Sequence, residues 1–589
     1  MKNRVFRAII LILSLLATIK ICILGLGIDE EYAVTMAYRM VTEDRMFLEM
    51  WEPHQTSGFL TAFLTGIFLQ ITKDTEYLIL YLRLSGAVIQ ALISLFLYRT
   101  IRRSFAEDAA FVVAVFFYNT LPKWIQTPEF ANMLVWFSTL AFTCFLRYYS
   151  VPKTQEAKQQ EGKAEMSPRS KIWLVVSGIS LSAMVLSYPS GILAIPVILL
   201  GMWMLRDREV GAGQKVGAGS KVGNSVVWEM ATVLGTCALL GLGYLLFFLR
   251  TMRVEEFAYG LRQMMTDGSH QLYVAERILA YGQEFLRLLG FVAAAVIPAL
   301  VITLICQKLR NIRSFLLLML IFSLIGQVVF WSGDSRYLQE PLIYFHLLAL
   351  AGILIYRYGR QEDAAVGTNR KVLFWFGSVA GISIWLSALI ITNTTISVTG
   401  SYLMTGLISG ILLLWEDVKC RKKKYLVRGF VLCLLGTTLF AKGYLVCSTE
   451  GIKDNVTMVR QKALSGPAKG IYCRYMDGYI YNIMAELLGE YTTEECPVLY
   501  VGQHSLYYML GSQTISNYST ISTPTYDERL GEYWDRYPQR VPKILVCDVA
   551  EEELGELKQL LEWGPLLAEQ ELLQGIENVR VYEILGRRE

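Results

Sequence analysis

Asp29, Glu30 and Glu31 stand in a row just after the first apolar stretch, residues 8–26, of a chain that keeps almost every other charge out of its apolar segments. A further acid, Glu129 in Thr127-Pro128-Glu129-Phe130, opens a later apolar run. Two carboxylates at one surface can bind a cation or a sugar hydroxyl, or divide the roles of base and orienting group. Both positions also have plain structural readings. Apolar residues at Ala33, Met36, Ala37, Met40 and Val41 form a helical stripe, and we expect that helix to lie on a membrane surface. Asp29 is then its N-cap, with Glu30 and Glu31 complementing the helix dipole. Thr127-Pro128-Glu129 is an ordinary helix start.

The elements that must position these acids are membrane spans. Of 589 residues, 54% are hydrophobic and only 18% charged, and the mean hydropathy is +0.39, which predicts a polytopic α-helical membrane protein. Stretches long enough to cross occur at 8–26, 77–98, 105–121, 129–148, 172–188, 189–206 and 226–249, then at 284–306, 314–332, 338–356, 372–392, 402–415 and 429–446, about thirteen in all. The first is expected to be retained, since its apolar run is long for a signal peptide and no small-x-small cleavage site follows. Lys2, Arg4 and Arg7 precede it, so the positive-inside rule places the N-terminus in the cytoplasm and the acidic triplet outside. Gly58 to Thr72 is short, and laying it in the outer interface keeps the basic loops at 99–103, 153–171, 206–221, 308–313, 357–371 and 419–428 on one side.

The same parity puts Glu129 and everything after Cys447 on the outer face. The net charge of +4 implies no nucleic-acid partner, because the Lys and Arg residues sit beside apolar runs and encode topology. Val210 to Asn224 is Gly-rich but lacks the order of a phosphate-binding loop, and reads as a linker. We expect two domains, 1–447 in the membrane and 448–589 a small extracytoplasmic α/β domain. Its predicted strands are Val498–Val501, Ile544–Val546 and Val579–Ile584, with helical patterns at Tyr526–Tyr537 and Glu551–Leu561. Cys473, Cys496 and Cys547 define neither a zinc site nor a clear disulfide framework, with a single bridge left open. His504 and the neighbouring tyrosines read as packing residues, as does His346 within its apolar run.

The run Asp29-Glu30-Glu31-Tyr32, the stripe ending near Arg45, Trp51-Glu52-Pro53-His54-Gln55-Thr56 and Gly58 to Thr72 together resemble the first outer loop of GT-C superfamily glycosyltransferases. Tyr81-Leu82-Arg83-Leu84-Ser85, the basic end Tyr98 to Arg103, and Thr127-Pro128-Glu129 look like the bacterial aminoarabinose and protein O-mannosyl transferase-like branch. Ser335-Arg336-Tyr337 with Pro341 is similar to a late outer loop of that family. The resemblance implies inverting transfer of a sugar from polyprenyl (undecaprenyl) phosphate to a lipid, glycan or protein acceptor at the outer leaflet. Asp29 would be the base and Glu129 its second acid. Glu30, His54, Arg83 and Arg336 would contact substrate, with Lys123 and Arg262 as further cations for the phosphate. Where some members carry a Lys before a Pro pair, this chain has His54-Gln55-Thr56. The acids could also take a divalent cation, but no metal site and no other cofactor can be read from the residues. A transporter or flippase of envelope lipids is the alternative class, and a non-catalytic envelope scaffold a third. Central intramembrane charges would favour transport, whereas Lys20, Arg83, Glu229 and Lys442 fall toward segment ends.

Overall fold

The computed structural model describes residues 4–588 apart from 43, 153–169, 207–221, 266–273, 333–342, 359–363, 392–393, 420–423, 449–453, 493–495, 503, 512–513, 521–527, 556 and 572–577. Among the described residues, nine helices are long and apolar enough to cross a membrane, and three shorter apolar ones, Ile172–Ser187, Pro189–Leu205 and Ile343–Tyr358, accompany them. The chain is a polytopic helical membrane protein. With the buried thirteen-residue helix α5 (Glu107–Asn119), each of the thirteen expected segments forms a helix. α1 (Arg4–Ile23) and α4 (Leu78–Ser104) leave rows of large apolar side chains exposed, the pattern of a lipid-facing surface. α6 (Phe130–Tyr149) has 83% of its apolar window buried and is an interior helix, as is Val398–Asp417 at 89%.

The two ends of the bundle are built from different contacts. At one end Arg7 pairs with Glu107 and Asp108 at 2.8 and 2.7 Å, Val151 binds Asn369, Arg313 pairs with Asp417, and Tyr148 and Tyr149 hold Glu229. These contacts all flank the basic loops. At the other end the segment after α1 meets α4, the residues before α6 and the C-terminal region. One parity of crossing therefore accounts for both sets of contacts.

Two glycines let backbones meet at the second end. A Cβ at Gly86 of α4 would stand 1.9 Å from the Gln126 carbonyl, so only glycine lets the segment before α6 sit this close. Gly25, at φ +81, turns the chain out of α1, and a Cβ there would meet the Cys447 carbonyl at 2.0 Å.

α2 (Ile28–Thr42) differs from the expected surface helix. The first part of its apolar stripe, Ala33, Met36 and Ala37, and its off-stripe residues Glu30, Glu31 and Arg39 are all buried, between α3 (Gly58–Thr72) and the C-terminal region, while Val41 at its end is exposed. Burial of its charged residues is tolerated because each finds a partner. Arg39 reaches Asp44 at 2.5 Å and the Asn517 carbonyl at 2.9 Å. Glu52, fully buried, accepts from Ser519 and from both Thr520 donors. The loop between α2 and α3 is thus stitched to the C-terminal region.

That region holds an antiparallel hairpin, β1 (Arg460–Lys462) with β2 (Tyr472–Arg474), and a five-stranded sheet. The sheet contains β3 (Pro497–Val501), β4 (Thr514–Ile515), β5 (Ile544–Cys547), β6 (Leu561–Gln570) and β7 (Val579–Arg587), in the order β4-β3-β5-β7-β6. β3 runs parallel to β4 and β5, and β7 antiparallel to β5 and β6. The three expected strands are present, and Glu528–Arg536 is helical. The helix expected over Glu551–Leu561 breaks into two short turns that lead into β6. Cross-strand pairing to β7 wins there, setting Leu566 against Tyr582 and Ala568 against Val581.

Candidate functional site

α2 begins directly behind Gly27, whose carbonyl accepts from the amides of both Glu30 and Glu31. Asp29 therefore lies in the first turn and is not the N-cap. Consecutive residues on a helix diverge by about 100°, so the three acids point three ways, and each meets a different base. Glu31 meets His504 at 3.0 Å, Glu30 meets Arg83, and Asp29 meets Lys123. Glu30 and Glu31 are 0% and 1% exposed, whereas the Asp29 side chain is 27% exposed and its Lys123 partner 20%. Only Asp29 of the triplet faces open space.

Lys123 is aimed by an irregular turn, Pro122–Trp124, in which Lys123 and Trp124 both adopt left-handed backbone at φ 50 and 58. That conformation costs roughly 1–2 kcal/mol per non-glycine residue. Strain of this kind persists only where surrounding structure enforces it, here by the helix that follows. Glu129 caps α6, accepting from the amides of Ala131 at 2.8 Å and Asn132 at 2.6 Å. The Asn132 side chain donates back to the carbonyls of Ile125 and Thr127 and so closes the loop. Burial pushes the Glu129 carboxyl up to about 8; the two amides and Lys123 pull it down, and the negative charge of Asp29 pushes it further up. The two expected acids therefore feel each other.

An aromatic wall adjoins this group. His54 stacks on Phe130, ring centres 4.3 Å apart and planes nearly parallel, and lies 5.8 Å from Tyr188. Tyr188 stands 5.6 Å from Tyr402, and the Lys123 ammonium lies 5.6 Å over Phe130. The Tyr32 hydroxyl accepts from the His54 amide at 3.4 Å. The structure thus brings Asp29, Lys123, Glu129 and His54 together. Tyr188 and Tyr402 belong to the same group but had no sequence signal, since each is a lone tyrosine between apolar runs.

Arg83 has another place. It is buried in α4, with Nε and Nη2 forked onto Glu30 at 2.7 and 2.5 Å. Its remaining N–H groups donate to the carbonyls of Ile21, Cys22, Leu24 and Gly25 at the end of α1. Thr127 also donates to Glu30. This fork clamps the corner that precedes Asp29, and it occupies both expected substrate contacts, Glu30 and Arg83, within the fold. Arg262 lies on the helix Val254–Met265, which packs on the first loop through Gly260 and Phe47. Arg336, with Ser335, Tyr337 and Pro341, lies outside the described residues, as do 153–169 and most of the Gly-rich linker. His346 packs edge-on to Trp385.

Among the described residues no three His, Cys, Asp or Glu side chains are grouped to hold a metal ion. The donor set at Asp29 also fits one poorly, because the neighbouring charge is an ammonium that already neutralises the carboxylate.

Fold and site together define a polytopic membrane protein with a carboxylate–ammonium site at the ends of its helices, and with a C-terminal α/β region tied to the same helix through Glu31 and His504. No family model matches the sequence, and no curated protein matches it. In structure it is similar to the apo oligosaccharyltransferase of Archaeoglobus fulgidus, at 13% identity and a TM-score of 0.47, over 95% of this chain and 73% of that one. It is likewise similar to ArnT from Cupriavidus metallidurans bound to undecaprenyl phosphate, at 15% identity and a TM-score of 0.38, over 99% of this chain and 98% of that one.

Proposed function

We propose that the protein is a membrane glycosyltransferase that moves a hexose or pentose from a polyprenyl phosphate to a cell-envelope acceptor at the extracytoplasmic face, with inversion. The observation that carries this reading is the solvent-facing Asp29–Lys123 pair beside buried Glu129. It joins the resemblance of the first loop to GT-C enzymes.

In this mechanism the acceptor nucleophile attacks the anomeric carbon on the face opposite the phosphate. The bond from that carbon to the phosphate oxygen breaks, leaving its electron pair on the phosphate, and the acceptor proton passes to Asp29. Lys123 balances the resting carboxylate. Once Asp29 holds the proton, the ammonium is released to the departing phosphate, whose oxygens it attracts as a point charge. Glu129 holds the loop that carries Lys123 and sets the local field. The stacked His54 and Phe130, with Tyr188 and Tyr402, offer an aromatic surface for a sugar ring. The N-terminus is cytoplasmic in this arrangement and the C-terminal region outside.

Transport would call for ionisable groups along a midplane path. The amines of the spans near this site, Lys20 and Lys442, instead donate to the carbonyls of Leu445 and Tyr118 at helix ends. Mass spectrometry of envelope lipids and polymers from a deletion strain tests the proposal. Loss of one hexose or pentose substituent names donor and acceptor together, and an unchanged envelope with altered lipid sidedness favours transport instead.

A further inference from the structure

The C-terminal region concentrates its exposed apolar side chains in one place. Val456, Met458, Val459, Leu464, Tyr472 and Tyr475 are between 40% and 76% exposed, all on the β1–β2 hairpin or its flanks. Elsewhere in the described part of this region, large apolar side chains are exposed only on β6 and β7, at Leu566, Leu567 and Leu585. A patch of this kind marks a surface meant to be covered.

The hairpin's position says by what. It follows directly on the last span, Tyr425–Tyr444, through a bridge between Leu445 and Asn455. Leu24, the first residue beyond α1, bridges to Tyr472, and the Gly25 amide donates to the Tyr472 carbonyl at 2.9 Å. The Pro467 carbonyl accepts from Ile79 at the start of α4, and Lys469 pairs with Glu76 at 2.6 Å. The hairpin is therefore pinned to the emerging ends of three spans. Its neighbour across α4 is α3, packed there through Phe68 and Tyr81, with Phe63 64% and Ile71 76% exposed.

We propose that the β1–β2 hairpin docks on the outer leaflet of the bilayer. Val459 and Leu464 enter the acyl boundary, and Tyr472 and Tyr475 sit at headgroup level, where amphipathic rings are favoured. Lys462, 6.0 Å over the Tyr472 ring, faces the lipid phosphates, while Arg460 is turned inward onto Asp454 at 2.8 Å. The Gly25 carbonyl accepts from Arg83 at 2.7 Å, so the lipid contact bears through one glycine on the corner that precedes Asp29. The proposal rests on the spans and not on the glycosyltransferase reading.

The test uses the full chain in phosphatidylcholine nanodiscs, with an environment-sensitive fluorescent residue introduced at Val459, at Leu464 or, as a water-facing control, at Lys558. The expected result is blue-shifted emission at Val459 or Leu464, most of it lost in nanodiscs of chain-brominated lipid, with neither effect at Lys558. Water-like emission at both positions overturns the proposal. So does a blue shift that brominated lipid leaves unquenched, since the cover would then be protein.

Discussion

Glu31 and His504 are 473 positions apart in the chain and 3.0 Å apart in the structure. The pair ties the helix that carries Asp29 to the C-terminal region, with Glu31 removed from water and His504 mostly so. Burial alone would lower the His504 imidazole, but Glu31 more than offsets it, with Asp548 and Asp477 adding, and the group rises to about 9. Burial pushes Glu31 up against the opposing pull of His504. We take the pair as ionised, because the neighbouring acids favour the imidazolium.

A histidine raised in the folded state contributes stability that is complete below its unfolded value near 6.5 and is lost as pH rises through about 9. Thermal unfolding of the purified protein should therefore show a drop in Tm between pH 7 and 9.5 that His504→Gln reduces, most of all above about pH 8. Below pH 7 the variant should be less stable by roughly 3–5 kcal/mol, the cost of leaving a buried charge without its partner. An identical pH profile in the two proteins would show that the pair does not hold the interface.

Arg83→Ala and Glu30→Gln should act on stability before they act on chemistry. Each breaks a buried fork, and a loss on the order of 3–5 kcal/mol is expected for either. A double variant should cost far less than the sum, as measured in a double-mutant cycle on Tm. If Arg83→Ala kept wild-type stability and lost only transfer, the arginine would be a substrate ligand after all.

Lys123 behaves oppositely. Its pair with Asp29 is partly open to water, so its worth to the fold is on the order of 1 kcal/mol, whereas the proposed mechanism needs its charge. Lys123→Met should leave Tm nearly unchanged and lower transfer by roughly 10²-fold, the scale for removing one charge-stabilising donor, with Lys123→Arg partly active. Normal turnover by Lys123→Met would remove the phosphate role.

Glu129 gives a second pH signature of known sign. Its carboxyl is raised by burial to about 8, above its ordinary value near 4.5, so its ionisation weakens the fold as pH rises through 8. Glu129→Gln should flatten that decline while keeping an oxygen to cap α6. A decline that persists unchanged in the variant would assign it to another group.

Much of this architecture can be read from local pattern, and the site only in part. Thirteen apolar runs become helices because span length and composition are local properties, and the described residues that flank the basic loops gather at one end because charge marks side. The pairings that divide the acidic triplet are not local. Nothing near Glu31 names His504, and nothing near Arg83 says that its fork will spend itself on Glu30 and the end of α1. Lys123 was visible only as one cation among several until a left-handed turn aimed it at Asp29. Strand β6 was hidden for the same reason, since its pairing with β7 overrides the helical spacing that precedes it.

Turnover by Asp29→Asn in membranes, with polyprenyl-phosphate sugar as donor, tests the central claim most directly. Asparagine keeps the shape and a contact to Lys123 but cannot accept the acceptor's proton at neutral pH. The account predicts a folded, normally inserted protein whose transfer falls by 10²-fold or more, at the scale of a lost general base. Transfer at the wild-type rate by Asp29→Asn would contradict it.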